Sequence, residues 1–293
     1  MAEKVSPSTQ VNNSSVRDQH INLVPMDWIS GFDVRPGFYE INGATPIPGG
    51  VNFTIQSSQA TYCELLLFHR RESEPFAILP FPEHYRIGNV FSMIVFGVSI
   101  EGLEYAYRMD GPYDPSKGLL FDRENILLDP YAKAVAGLRE FGVDEVDYSG
   151  YRARVVKDDF DWEDSRQPLT PMEDVIIYEL HVRGFTMDPS SGVKFPGTFD
   201  GIREKVPYLK ALGVTAVELM PIFEFDEMHD HREYDGHQLI DYWGYNTVNY
   251  FSPNTAYCSQ PEYNKEGNEL KRLVKLLNEN GIEVYLDVVF NHT

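Results

Sequence analysis

Between Asp174 and Thr293 the chain alternates strand, helix, strand, helix, strand, and that order admits few folds. Val175-Ile-Ile-Tyr-Glu-Leu-His-Val182 is a nearly continuous apolar run, as strands buried on both faces are. Across residues 199–212, Ile202, Val206, Leu209 and Leu212 share one helical face, and Gly213 stops the helix. Pro207 interrupts that pattern, so a kink or an early break is expected there. Val214-Thr-Ala-Val-Glu-Leu-Met220 is the next strand. A long polar and aromatic stretch follows over residues 221–266. A second helix then carries Leu270, Leu273, Val274 and Leu277 and ends at Gly281. The last strand, Ile282-Glu-Val-Tyr-Leu-Asp-Val-Val-Phe290, finishes in a polar cluster of Asn291 and His292.

Consecutive βαβ units imply a parallel sheet with helices outside it. A complete barrel of such units takes about 250 residues, roughly twice the length of this region. The expectation for 174–293 is therefore an incomplete (β/α)8 TIM barrel, truncated after its third strand. In such barrels the side chains at the carboxyl ends of the strands do the chemistry. Asp287, Asn291 and His292 occupy that position on the last strand.

Upstream the pattern differs. Val51-Asn-Phe-Thr-Ile55 alternates apolar and polar residues after the turn Pro46-Ile-Pro-Gly-Gly50. Cys63-Glu-Leu-Leu-Leu-Phe68, Phe76-Ala-Ile-Leu79, Val90-Phe-Ser-Met-Ile-Val-Phe96 and Glu104-Tyr-Ala-Tyr-Arg108 follow, each bounded by Gly, Pro or Ser. Short strands without intervening helices predict an antiparallel, immunoglobulin-like β-sandwich over 31–135. Residues 136–173 read as a connector and residues 1–30 as a disordered tail.

The formal net charge of −20 repels phosphate backbones and anionic lipid, so neither nucleic acid nor membrane is an expected partner. No apolar run is long enough to span a bilayer, and the polar amino-terminal residues lack the apolar core of a signal peptide. The two cysteines, Cys63 and Cys258, form no disulfide framework or zinc motif and fit a reducing compartment. The expected location is the cytoplasm.

Four segments, in order, resemble the α-amylase superfamily (glycoside hydrolase family 13), and within it the isoamylase-type glycogen debranching enzymes. They are Asp174-Val-Ile-Ile-Tyr-Glu-Leu-His-Val-Arg-Gly-Phe-Thr186, Pro207-Tyr-Leu-Lys-Ala-Leu-Gly-Val-Thr-Ala-Val-Glu-Leu-Met-Pro221, Tyr242-Trp-Gly-Tyr-Asn-Thr-Val-Asn-Tyr-Phe-Ser-Pro253 and Asp287-Val-Val-Phe-Asn-His292. Upstream, Gly50-Val-Asn-Phe53, Tyr105-Ala-Tyr-Arg-Met-Asp-Gly-Pro-Tyr-Asp-Pro115 and Leu127-Leu-Asp-Pro-Tyr-Ala-Lys133 resemble the carbohydrate-binding-like sandwich module of debranching and branching enzymes.

The resemblance implies hydrolysis of α-1,6-glucosidic branch linkages in glycogen or related α-glucans, with retention. Its partners are glycogen, limit dextrins or maltooligosaccharides, and it implies no cofactor. The retaining reaction needs two carboxyl groups about 5–5.5 Å apart. In the family these lie on later barrel strands, so this amino-terminal portion has no catalytic residue of its own and is expected to be inactive. Glu179, Glu218 and Asp287 fall on successive strands, but the matched motifs make none of them nucleophile or acid.

Two residues carry over as sugar contacts. On composition alone Tyr245 reads as a packing residue and His292 as a hydrogen-bonded structural histidine. The resemblance instead assigns the Tyr245 ring to stack under the glucose at the cleavage point, and His292 to hydrogen-bond a hydroxyl of that sugar. Asp287 matches an aspartate that orients an arginine beside the nucleophile. That arginine lies in a later segment, so Asp287 is expected to be a charge without its partner.

No metal is assigned. His229-Asp-His-Arg-Glu-Tyr-Asp-Gly-His237 is rich in potential ligands but reads as a solvated loop, and Asn291 matches a calcium-binding position only of some α-amylases. The alternatives are a non-catalytic α-glucan-binding protein, and a branching enzyme or pullulanase of the same superfamily.

Overall fold

A computed structural model of the chain describes residues 23–138, 140–143, 150–229, 231–260 and 264–292. The amino-terminal half is a sandwich of two antiparallel sheets. One is ordered Asp27–Ile29, Phe32–Pro36, Val90–Phe96, Gly50–Gln56, Gly43–Ile47. The other is ordered Val135–Ala136, Arg152–Arg154, Leu103–Asp110, Tyr62–His69, Ala77–Pro80. Period-two alternation sends Val51, Phe53, Met93 and Val95 from the first sheet against Leu65, Leu67, Tyr105 and Tyr107 from the second, all fully buried. The other face of the first sheet is polar but closed: Asn52, Thr54 and Ser92 hydrogen-bond one another, and the Phe38 N–H donates to Asn52 Oδ1 at 2.8 Å.

The sandwich is wider than the expected 31–135. Asp27–Ile29 pairs with Phe32–Pro36, so the end of the presumed disordered tail is a strand; residues 1–22 lie outside the described residues. Arg152–Arg154, from the presumed connector, pairs with Leu103–Asp110 and is buried. Two arginines in a three-residue strand give no apolar alternation, which is why the sequence pattern hides it. Arg152 lies over the Phe68 ring, 3.8 Å from its centroid, and Arg154 pairs with Glu266 of the carboxyl-terminal half.

That second half holds a parallel sheet ordered Ile177–Leu180, Ala216–Leu219, Glu283–Leu286. Its register sets Tyr178, Val217 and Val284 abreast on one face, and Glu179, Glu218 and Tyr285 abreast on the other. The first face packs on helices α1 (Phe199–Glu204), α2 (Val206–Leu212) and α3 (Glu266–Glu279) through Ile202, Leu209, Leu273 and Leu277. The single helix expected over 199–212 is broken at Lys205, two residues before Pro207, whose ring cannot follow a continuous helical turn. Thr198 caps α1 by accepting from the Gly201 N–H. Among the described residues the two outer strands of this sheet have one partner each, and Ile176, Ile177, Leu286 and Phe290 are exposed beside them.

The halves meet along a buried polar seam. Asn249 Nδ2 donates to the Asp129 carbonyl at 3.0 Å, and Thr255 Oγ1 stands 3.2 Å from the Val135 carbonyl. Tyr131 of the sandwich stacks on Phe251 of the strand Thr247–Pro253, with ring centroids 5.4 Å apart.

Candidate functional site

The parallel register builds the site. Beyond Leu180, Leu219 and Leu286 the ladder continues for one rung: the Met220 N–H donates to the Leu180 carbonyl, and the Asp287 N–H to the Leu219 carbonyl. Alternation then places His181, Met220 and Asp287 one layer beyond Glu179, Glu218 and Tyr285, at the carboxyl end of the sheet.

The segment before the strand Thr247–Pro253 crosses this end. The Tyr245 hydroxyl donates to Asp287 Oδ2. That bond, then partial burial, then the charges of Asp287, Glu179 and Glu218 push the tyrosine up to about 12. The hydroxyl therefore stays protonated and keeps donating. Asp287, expected to lack a partner, has one. A phenol suits the position: it offers one donor and adds no charge to a sheet end already carrying carboxylates.

The backbone beneath Tyr245 is fixed by Gly244. Its φ is +81°, and an added Cβ would stand 2.8 Å from the Phe225 ring, so only glycine makes this turn. Tyr242, on the other side, stacks on His181 with centroids 4.3 Å apart and planes 15° from parallel. His181 Nδ1 accepts from the Gly184 N–H at 3.1 Å, which leaves Nε2 to donate to the Tyr242 carbonyl at 2.8 Å. Burial lowers the histidine's pKa, so the imidazole is neutral and works as a brace.

His292 is not gathered into this cluster. Its imidazole is exposed, with Nδ1 2.7 Å from Asn291 Oδ1, while its carbonyl accepts from the Tyr250 hydroxyl. Tyr245 and Asp287 are thus brought together, and His292 stands apart on the strand's tail. Among the described residues no three His, Cys, Asp or Glu side chains converge on a metal-sized site. The histidine-rich loop is a hairpin, Arg232–Tyr234 against His237–Leu239, turned by Asp235 and Gly236, both at positive φ. Its Asp230 lies outside the described residues.

Sequence reasoning missed the buried carboxylates at the seam. Glu224 Oε2 accepts from the Thr255 N–H and Oγ1, at 2.9 and 2.6 Å. Burial holds its pKa well above the carboxylate range. Glu227 accepts from Asn254 Nδ2 at 3.0 Å, and burial pushes it up to about 7. Asp129 accepts from the Tyr105 hydroxyl at 2.7 Å and is pushed up to about 6, again by burial. Only the flanking aromatics of Phe223-Glu224-Phe225 hint at this, and an isolated acid in a polar stretch normally faces water.

Residues 42–132 match the family described as carbohydrate-binding module 48 (isoamylase N-terminal domain), and residues 156–293 the alpha amylase catalytic domain. The chain is 38% identical over 276 residues to chloroplastic isoamylase 1 of Arabidopsis thaliana, covering 89% of this chain and 35% of that protein. It is 38% identical over 266 residues to a glycogen debranching enzyme of Salmonella paratyphi B, covering 86% of this chain and 39% of that one. A pullulanase from Paenibacillus barengoltzii, solved in complex with maltohexaose and α-cyclodextrin, superposes with a TM-score of 0.67 at 26% identity, over 88% of this chain and 39% of its own. The chain thus spans between a third and two fifths of the length of these relatives. Its two matched regions are thus a carbohydrate-binding module 48 and a segment of an alpha amylase catalytic domain, and over most of its length the chain is similar to isoamylases and glycogen debranching enzymes of the alpha-amylase superfamily.

Proposed function

We propose that this chain supplies the sandwich module and the sugar-binding floor of an α-1,6-glucosidase that cleaves branch linkages of glycogen or related α-glucans with retention. The observation that carries the reading is the Tyr245–Asp287 hydrogen bond at the carboxyl end of the third parallel strand. It fixes an aromatic ring where barrel enzymes bind substrate. An aromatic face complements the C–H face of a neutral pyranose, and a tethered ring loses little freedom when it binds. The names of the relatives support the same substrate class, and a net charge of −20 is compatible with an uncharged ligand.

In this reading Tyr245 stacks under the glucose at the cleavage point, and Asp287 orients Tyr245. His292 contacts a hydroxyl of the same sugar by turning from Asn291. Glu179 and Glu218 lie abreast on adjacent strands and add negative potential beneath the sugar, but neither is assigned as nucleophile or acid. Both catalytic carboxylates, and the arginine that Asp287 would orient, belong to segments after residue 293, as do the remaining barrel strands. The chain alone is inactive. The cytoplasm is the proposed location, consistent with Cys63 and Cys258 being free and buried.

The coding sequence downstream of Thr293 tests this. An Arg-x-Asp segment followed by a later Glu supports it. A stop codon there, or release of reducing ends from glycogen by the purified chain free of contaminating amylase, contradicts it.

A further inference from the structure

Two residues before Tyr245 stands Trp243. Its indole packs side-on against two rings: its centroid lies 5.3 Å from Tyr242 and 5.9 Å from His181, with planes 89° and 87° apart. Those two rings are themselves stacked and tied by the hydrogen bond from His181 to the Tyr242 carbonyl. The turn at Gly244, pinned against Phe225, fixes the backbone between Trp243 and Tyr245. Trp243 is nevertheless 54% exposed. The exposed indole is thus held still by its neighbours. A tryptophan that served only the core would hide its ring, and a mobile surface ring would not be braced on two sides.

We propose that Trp243 is a second platform for a neutral α-glucan, holding a sugar residue next to the one over Tyr245 and so selecting a chain over a single glucose. This rests on the reading of Tyr245 as a sugar platform. Two rigid aromatic surfaces on one short, pinned segment suit consecutive pyranose rings of a linked chain. The main contact is stacking on the indole face. An anionic ligand is disfavoured, because Glu179, Glu218 and Asp287 line the adjacent sheet end. The indole N–H is free to add a hydrogen bond to a sugar hydroxyl.

The test uses the whole chain with Trp28→Phe and Trp162→Phe, which leaves Trp243 as the sole tryptophan, titrated with maltohexaose. The emission of Trp243 should shift saturably with sugar. By calorimetry on the otherwise unaltered chain, Trp243→Ala should weaken maltohexaose about tenfold or more, and Trp243→Phe less, as expected for loss of a stacking face. Glucose should bind Trp243→Ala and the parent alike. Unchanged emission at saturating maltohexaose overturns the proposal whatever the variants do, and it needs no substitution at Trp243 itself. If Tyr245→Ala weakens binding while Trp243→Ala does not, Trp243 is a packing residue and the Tyr245 reading stands. If maltohexaose does not bind at all, both fail.

Discussion

The Tyr245 hydroxyl reaches Asp287 across 42 positions of sequence and closes the loop before Thr247–Pro253 onto the end of the third parallel strand. Without that bond the ring would rest on a loop alone. With it, a strand end and an aromatic face form one unit, and the carboxylate gains a donor that adds no charge.

The pair has an electrostatic signature. Asp287 is the first cause of the rise in the Tyr245 pKa from 10.0 to about 12. Asp287→Asn removes the charge and weakens the acceptor, so the Tyr245 midpoint should fall toward about 10. Titration of a 13Cζ label assigned to Tyr245 measures this. A midpoint that does not move when Asp287 is replaced contradicts the hydrogen bond.

Gly137 should not tolerate a side chain. An added Cβ would stand 2.5 Å from Glu224 Oε1 and 2.6 Å from its Cδ. Gly137→Ala should lower stability by about 1–3 kcal/mol, the usual range for overpacking. In a Glu224→Ala background the same substitution should cost less than about 0.5 kcal/mol, since its obstacle is gone. Chemical denaturation of the four proteins gives the cycle, and additive effects would refute the contact.

Stability should fall as pH rises through the range of Glu227. Its carboxyl titrates near 4.5 when unfolded and at about 7 when folded. Below pH 4.5 both states hold the proton. Between 4.5 and about 7 the unfolded chain releases it while the folded chain keeps it, so unfolding gains. The loss should be on the order of 1–3 kcal/mol, and Glu227→Gln should remove it. Asp129 acts in the same direction at lower pH, from 3.8 to about 6, so the comparison of parent and variant isolates Glu227. Parallel pH profiles for the two would contradict the assignment.

The parallel sheet should be unevenly protected. Ala216–Leu219 is bonded on both sides, whereas Glu283–Leu286 has one partner among the described residues. Amide exchange should be at least about tenfold faster in the outer strand than in the middle one, with the sandwich core slower than either. Equal protection in the two strands of the monomer would show that the open edge is covered.

The legible parts of the sequence were those with strong periodicity. The three parallel strands, α3 and the alternating sandwich strands follow from apolar spacing, and the break before Pro207 from its missing N–H. Tyr245 and Asp287 were reached by resemblance, but the bond between them was not, because it joins a loop to a strand end. Arg152–Arg154 escaped because its burial rests on partners distant in sequence, Glu266 for Arg154 and the Phe68 ring for Arg152. The Asp235-Gly236 hairpin carried a turn signal, but its charged flanks read as solvated loop. Glu224 is buried against Gly137 and Thr255, and Glu227 against Asn254, partners distant in sequence that local patterning does not record.

The proposed sugar platform is the Tyr245 ring. Its most direct test is a crystal structure of the chain soaked with maltotetraose, with Tyr245→Ala soaked in parallel. A glucose ring should lie over Tyr245 at van der Waals distance, about 4 Å, with the hydroxyl still on Asp287, and no sugar should be there in the variant. Sugar bound only on the sandwich, or bound equally in both crystals, would contradict it.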